Sequence, residues 1–404
     1  MKPRLPTHIR ASLAFLAFLF ALFLLLTPFE SPDGDHSMFP KFLVAGLGLA
    51  LAGPLLLITP IKPKVSTLLV LAVLACVVLH AVAVRPAPVQ FVLLICANFM
   101  VAIVLYEASF NWRKQFEAAI LCVLAINIAV IVVQACSYYL LTSTIIDFHR
   151  FLFGSESRFA EDYLNIARFS GLQVEPGTYA NYISCLLAIL ILSSAFSKRV
   201  LYMSFVSILS IFLTNSGSAV YFVPLLIMLM GVVWPRSISP RYLLLLLAAI
   251  AVYLLSSGFV EHLEARFLEH DDGSLSHRVD GITAYLATGL EEKFIGIGFA
   301  TDLCVDCFYQ DIGVSFNLLT RGGVLVALAL ALLLVRALRV NGIALALLVF
   351  LIPLNEKMSF YDAAIWLVLL FGSSRVRPVK LRAAQAPLPS RAYGAGGTQA
   401  GNGT

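Results

Sequence analysis

The chain has 404 residues, of which 60% are hydrophobic and 13% are charged, and its formal net charge is +5. Its mean hydropathy of +0.91 excludes a soluble domain of this length. Apolar runs of about 18 to 22 residues, long enough to cross a bilayer, recur from end to end. The composition therefore predicts an all-α polytopic integral membrane protein, and we expect no nucleic-acid partner.

The hydropathy pattern predicts a single transmembrane domain, residues 1–374, with twelve membrane-spanning helices. The first apolar run follows three basic residues but has no small-x-small cleavage site, so we interpret it as a retained helix and not as a signal peptide. The helices are expected at 11–28, 41–60, 65–84, 89–108, 118–141, 178–197, 201–215, 218–234, 241–258, 314–335, 341–354 and 360–372.

Basic residues test this helix count. If the N-terminus is cytoplasmic, each predicted inner segment carries a basic pair, such as Lys198 with Arg199, as the positive-inside rule requires. Nearly all Asp and Glu residues fall on the other side, with Glu107 and Glu117 as exceptions. We therefore expect both termini in the cytoplasm, with 375–404 as a disordered cytoplasmic tail that has little to bury.

Two predicted outer loops are much longer than the other connections, at about 142–177 and 259–313. The first carries six Phe and Tyr residues among its charges, which favours a short amphipathic helix along the membrane interface. The second holds Cys304 and Cys307, which we expect to form a local structural disulfide in an oxidising compartment.

A polar, turn-forming stretch from Arg168 to Ala180 ends the first long loop and enters an apolar helix. Gly171, Pro176 and Gly177 are expected to break regular structure and to place Arg168 and Glu175 in a fixed turn beside the helix N-terminus. A loop with ordinary rim charges is the alternative interpretation.

Six arginines in or shortly after the two long loops lie on the predicted outer side or at its rim, against the positive-inside bias. We expect three of them to pair with acidic residues of the same loops: Arg150, Arg158 and Arg266. The other three are expected to bind an anionic ligand such as a lipid phosphate or pyrophosphate, which guanidinium groups hold by paired hydrogen bonds: Arg168, Arg278 and Arg321.

The predicted spans hold few polar groups, chiefly His80, Asn98, Asn127 and Gln134. Ion-coupled transporters usually carry charged groups inside the bilayer. The scarcity of such groups here favours chemistry at the outer face on a substrate presented from the membrane.

The motifs of the second half resemble those of the O-antigen and exopolysaccharide polymerases, the Wzy-type family, over roughly residues 165–370. The similar segments are Arg168 to Gly177, the Thr214 to Ser218 turn (with Gly217 where the family usually has arginine), Ser276-His277-Arg278 followed by Phe294 to Gly298, and Asn317 to Gly323 at the start of the next helix.

The resemblance implies a glycosyltransferase of the GT-C type at the periplasmic face of the inner membrane. Such enzymes join undecaprenyl-pyrophosphate-linked repeat units, with lipid pyrophosphate as leaving group and no metal or other cofactor. Its implied partners are the lipid-linked glycan, membrane lipid, a chain-length regulator and a flippase.

Two other functions remain as alternatives. O-antigen ligases share the architecture and transfer glycan to lipid A-core, but they usually carry a histidine before the helix that follows the large loop, and Gln310 to Asn317 contains none. A lipid-linked oligosaccharide flippase would place charges along a central cavity and keep its loops short.

Residue types suggest roles within this reaction. Arg168 and Arg278, with Arg321 as a third, are expected to hold the pyrophosphate and stabilise the charge that develops on it. Glu175 is the preferred general base for the acceptor hydroxyl, with a helix cap or an ion pair to Arg168 as its alternative role. Further candidates for the base are Asp280, His277 and Asp311.

Overall fold

The structure, a computed structural model, describes residues 6–25, 38–58, 63–142, 144–154, 156–157, 167–235, 238–256, 273–300, 312–354 and 359–375. Within these ranges every regular element is helical. The helices are α1 (Thr7–Leu25), α2 (Met38–Ile58), α3 (Val65–Leu79), α4 (Val89–Ser109), α5 (Arg113–Cys136), α6 (Phe148–Phe153), α7 (Pro176–Ser193), α8 (Lys198–Phe212), α9 (Gly217–Val233), α10 (Pro240–Ser256), α11 (Gly273–Leu286), α12 (Leu290–Ile295), α13 (Val314–Asn341), α14 (Ile343–Leu354) and α15 (Ala363–Gly372). The π-helical turns His80–Val84 and Ser137–Thr142 extend α3 and α5.

A helix occupies the position of each predicted span, which confirms an α-helical, membrane-type architecture. Among the described residues, six helical segments are long and apolar enough to cross a bilayer: Thr7–Leu25, Val65–Val84, Val89–Ser109, Arg113–Leu141, Pro176–Ser193 and Val314–Asn341. The remaining apolar helices are shorter, so the number of crossings stays a prediction.

Both long loops contain helical segments. The first includes the short helix α6, whose Phe151 side chain is 83% exposed. In the second, α11 and α12 replace much of what the sequence indicated as loop.

Helix α7 is the centre of the bundle. Its residues are buried along the whole length except Thr178 and the last residue, Ser193, and it packs against α5, α8, α9, α14 and α15. Outer helices such as α1 and α10 instead expose large apolar side chains, as a lipid-facing surface does.

A partly buried ion pair between Lys64 and Glu107 joins the start of α3 to the end of α4. This end of the bundle is called the Glu107 end. The Glu107 carboxylate accepts the Lys64 backbone N–H at 3.0 Å and the Lys64 ammonium at 3.2 Å, and Thr67 donates to it as well. Burial lowers the pKa of Lys64 below its ordinary value, while Glu107 acts in the opposite direction. Glu107 thus departs from the acidic-outside pattern because it neutralises a basic residue on its own side.

Further polar contacts bring other helix ends to the Glu107 end. Ser66 Oγ lies 3.0 Å from Ser374 Oγ, and Asn341 Nδ2 donates to the carbonyls of Gly372 and Ser374 at 2.7 and 2.8 Å. These contacts join ends of α3, α13 and α15 that the charge pattern predicts on the inner side of the membrane.

We expect Glu107→Gln to lower the free energy of unfolding by about 1–3 kcal/mol, because a partly buried ammonium loses its counter-ion. Thermal unfolding in detergent measures the change. Glu117→Gln, at a half-buried carboxylate of α5, is the matched control. Equal shifts for the two variants would show that the Lys64–Glu107 pair contributes nothing specific.

Candidate active site

The loop from Ala167 to Glu175 has a buried, fixed conformation. Gly171 has a φ of +62°, and its N–H donates to Gln134 Oε1 at 2.8 Å, while Gln134 Nε2 donates to the Ile146 carbonyl at 2.8 Å. A Cβ on Gly171 would lie 2.9 Å from the Tyr179 ring. The left-handed backbone and the close ring both explain why glycine occupies this position.

Pro176 and Gly177 do not break regular structure, contrary to the sequence prediction. They are the first two residues of α7, where the fixed φ of proline suits a helix start. The turn is therefore made by Gly171, and the helix begins directly after Glu175.

The turn between α8 and α9 lies against this loop. Asn215 has a φ of +47°, and its side chain donates to the Ala167 carbonyl at 2.8 Å. The Tyr253 hydroxyl of α10 donates to Asn215 Oδ1 at 2.6 Å. Asn215 is fully buried, so it holds two motif segments and α10 together.

Three side-chain oxygens surround the bare α-carbon of Gly177. A Cβ at that position would lie 3.6 Å from Ser216 Oγ, 3.7 Å from Glu175 Oε1 and 3.9 Å from Ser218 Oγ. Ser216 is buried, and Glu175 and Ser218 are half-buried. Because Gly177 has no side chain, a space about the size of a methyl group lies beside this carboxylate and these two hydroxyls.

Glu175 occupies the N-cap position of α7, but its side chain makes no capping bond to the backbone. Its Oε1 atom accepts a hydrogen bond from Thr178 Oγ1 at 3.3 Å. The side-chain cap proposed as an alternative role is therefore wrong, and the carboxylate keeps acceptor capacity for another donor.

Arg168 is half-buried at the start of the same loop, between the buried Ala167 and Phe169. The Phe169 ring packs against the rings of Tyr138 and Tyr139, with centroid separations of 6.0 and 5.8 Å. This packing anchors the backbone on which Arg168 is carried.

A second structured segment, residues 294–299, consists of the end of α12 and the loop after it, and it docks onto a break in α13. The helix is interrupted at Gly323, where φ is +59°, and the carbonyls of Thr320 and Arg321 accept the N–H groups of Ile297 and Gly298 at 2.9 and 3.0 Å. The predicted helix start at residue 314 is confirmed, because α13 begins at Val314, whereas the break at Gly323 was not predicted.

Arg321 holds the docked loop. Its Nε donates to Asn317 Oδ1 at 2.6 Å, and one terminal nitrogen donates to the Phe299 carbonyl at 2.8 Å. These bonds give Arg321 a positioning function for residues 298–299 that the sequence did not predict. The contact between Arg321 and the pyrophosphate stays a prediction.

Two polar residues inside apolar helices were overlooked as parts of the site. His80 Nε2 donates to the Ile295 carbonyl at 2.7 Å, and the His80 ring meets the Phe299 ring edge-on. Gln134 supports the first loop in a similar way, because its side chain accepts the Gly171 N–H. Asn98 and Asn127 instead donate to carbonyls of their own helices, those of Leu94 and Val123. A polar group near the outer end of an apolar run was the signal that could have identified His80 and Gln134.

Arg278 and Asp280 lie on α11, with Arg278 half-buried and Asp280 exposed. Helix α11 packs on α13 through Tyr285, whose ring meets Phe316 edge-on at 5.6 Å. The convergence of Arg278 with Arg168 stays a prediction.

Of the remaining predictions, the pairing of Arg150 is confirmed by its 3.0 Å ion pair with Glu156. The other predicted residues lie outside the described part of the chain: the side chain of His277 and residues Asp311, Arg158, Arg266, Cys304 and Cys307.

Comparison with protein-family models gives no match for this chain, and comparison with curated proteins gives none either. In the described ranges, no group of three or more His, Cys, Asp or Glu side chains is arranged to hold a metal ion. The functional interpretation therefore depends on the motif residues and on their contacts.

Proposed function

We propose that this protein is a polysaccharide polymerase that joins undecaprenyl-pyrophosphate-linked repeat units at the periplasmic face of the inner membrane. One observation carries the proposal. The Arg168 to Gly177 segment and the Thr214 to Ser218 turn each resemble a motif of one family, and Asn215 of the turn donates a hydrogen bond to the carbonyl of Ala167, the residue directly before the first segment. Their contact gathers Glu175, Ser216 and Ser218 around Gly177.

The arrangement of helix ends supports the proposed topology of twelve spans with both termini in the cytoplasm. Contacts of the candidate site, including His80 with Ile295 and Tyr253 with Asn215, join ends that the charge pattern predicts on the outer side. The contacts at the Glu107 end join ends predicted on the inner side. A substrate held in the outer leaflet would reach the Glu175 loop directly.

In the proposed reaction, the bond between the anomeric carbon of the donor glycan and the pyrophosphate oxygen breaks. The hydroxyl oxygen of the acceptor repeat unit bonds to that carbon, and its proton passes to a base, a role we assign to Glu175. The space beside Gly177 would admit the acceptor hydroxyl, with Ser216 and Ser218 as further hydrogen-bonding groups. Arg168 and Arg278 would stabilise the charge left on the pyrophosphate without a metal ion.

Glu175→Gln is expected to lower the polymerisation rate by about 10²–10⁴-fold, since the amide cannot accept the proton. The assay uses the purified protein in detergent with lipid-linked repeat units, in the presence of a chelator, and measures product length on a gel. Glu291→Gln is the matched control, because it makes the same change at a carboxylate that is 70% exposed on α12.

The outcomes separate the candidate functions. Polymer formed at the normal rate by Glu175→Gln would remove this residue as the base. Transfer of glycan to lipid A-core without polymerisation would identify a ligase. Movement of lipid-linked glycan across a vesicle membrane without any transfer would identify a flippase.

A further inference from the structure

A cavity of about 240 Å³ lies between α8, α9 and α10, away from the candidate active site. Its lining is apolar and includes Phe205, Met230, Gly231, Pro235, Ile238 and Leu246. Apolar cavities smaller than this one, about 150 Å³, stay dry and bind hydrocarbon ligands. The chemistry of this lining therefore suits an apolar chain and not a cluster of waters.

Trp234, the residue that ends α9, also lines the cavity. Its side chain is 1% exposed, and its indole Nε1 has no hydrogen-bond partner. A buried indole N–H usually finds an acceptor, because leaving it unpaired costs about 1–3 kcal/mol. Because the Nε1 atom is fully buried, a ligand in the cavity does not contact it, and Trp234 contributes its apolar ring to the lining.

Exposed cations border the same region. Arg241 follows Pro240, which lines the cavity, and Lys198 and Arg199 follow closely after Phe196, whose ring packs on Trp234 at 5.6 Å. All three basic side chains are exposed. They lie at helix ends that the charge pattern predicts on the cytoplasmic side, where anionic lipid headgroups are attracted by about 1 kcal/mol per Lys or Arg.

We propose that this cavity binds one acyl chain of an anionic phospholipid from the inner leaflet. The chain fills the apolar space beside the Trp234 ring, and the phosphate lies near Lys198, Arg199 and Arg241. The site is separate from the proposed glycosyl transfer, and its place in the inner leaflet rests on the proposed topology.

Gly231 offers a way to fill the cavity, since a Cβ built on it meets no atom within 4 Å. Native mass spectrometry of the full chain in detergent, titrated with phosphatidylglycerol, should show one retained lipid for the wild type. We expect binding to Gly231→Leu to be at least about tenfold weaker. Gly46→Leu, at a glycine of α2 whose Cβ likewise meets nothing within 4 Å, should bind as the wild type does.

The headgroup and the indole are tested separately. Replacing Lys198, Arg199 and Arg241 together by Gln should reduce the preference for phosphatidylglycerol over phosphatidylcholine about tenfold. Chain-brominated phosphatidylglycerol should quench the fluorescence of Trp234, obtained as the difference between the wild type and Trp234→Phe. Equal binding by Gly231→Leu and the wild type, or no quenching of Trp234, would overturn the proposal.

Discussion

Gly323→Ala is expected to destabilise the protein and to abolish its activity, while Gly342→Ala has a much smaller effect. Both glycines of the α13 region have a left-handed backbone, with φ of +59° and +80°. A Cβ on Gly323 would lie 2.3 Å from the Phe294 carbonyl oxygen, whereas one on Gly342 would meet no atom within 4 Å. Gly342→Ala thus measures the conformational cost alone, about 1–3 kcal/mol, since both glycines combine a positive φ with a ψ near 180°.

In Gly323→Ala, the new Cβ also collides with the backbone of residues 294–299, which cannot move without separating from α13. This collision should lower the free energy of unfolding by a further amount of about 1–3 kcal/mol, as other overpacking substitutions do. It also separates the Ile297 and Gly298 N–H groups from the α13 carbonyls that accept their hydrogen bonds, and an unpaired buried N–H is costly. Thermal unfolding in detergent and the polymerisation assay measure the two effects. Equal melting temperatures for the two variants would show that the docked loop is not held by this contact.

Arg168→Ala and Arg278→Ala are each expected to reduce polymerisation about a hundredfold, because a lost contact to a developing charge is worth about 3 kcal/mol. Lys at either position keeps the charge but loses the planar fork, so activity should still fall markedly. If both arginines bind one pyrophosphate, the double change costs less than the sum of the single changes.

Arg150→Ala is the matched control for these variants, because Arg150 is an exposed arginine of the first long loop, paired with Glu156 at 3.0 Å. Such exposed pairs contribute little, so its activity should stay near that of the wild type. Full-length polymer from Arg168→Ala or Arg278→Ala would remove that arginine from the mechanism. Strict additivity in the double variant would place the two arginines on different groups of the substrate.

The positions of the helices were predictable from the sequence because helical hydrogen bonds are local, and a bilayer allows an apolar run few other structures. The same reasoning identified Gly171 as a turn residue, but it started the helix at residue 178, two residues after the observed start of α7 at Pro176. Which face of each helix is buried was not predictable. Lipid and protein core are both apolar, so the central α7 and the peripheral α10 have similar compositions but very different exposure.

By itself, the sequence determined a membrane-type helical bundle and the turn at Gly171, both of which depend on residues close together in the chain. Only the tertiary structure decided that Asn215 joins two motifs, that His80 and Gln134 support the loops, and that Arg321 holds residues 298–299. It also placed the break of α13 at Gly323. These features arise where a buried backbone N–H or carbonyl has no hydrogen-bond partner close to it in the sequence. A residue from a distant part of the chain supplies that partner, and only the tertiary structure shows which residue it is.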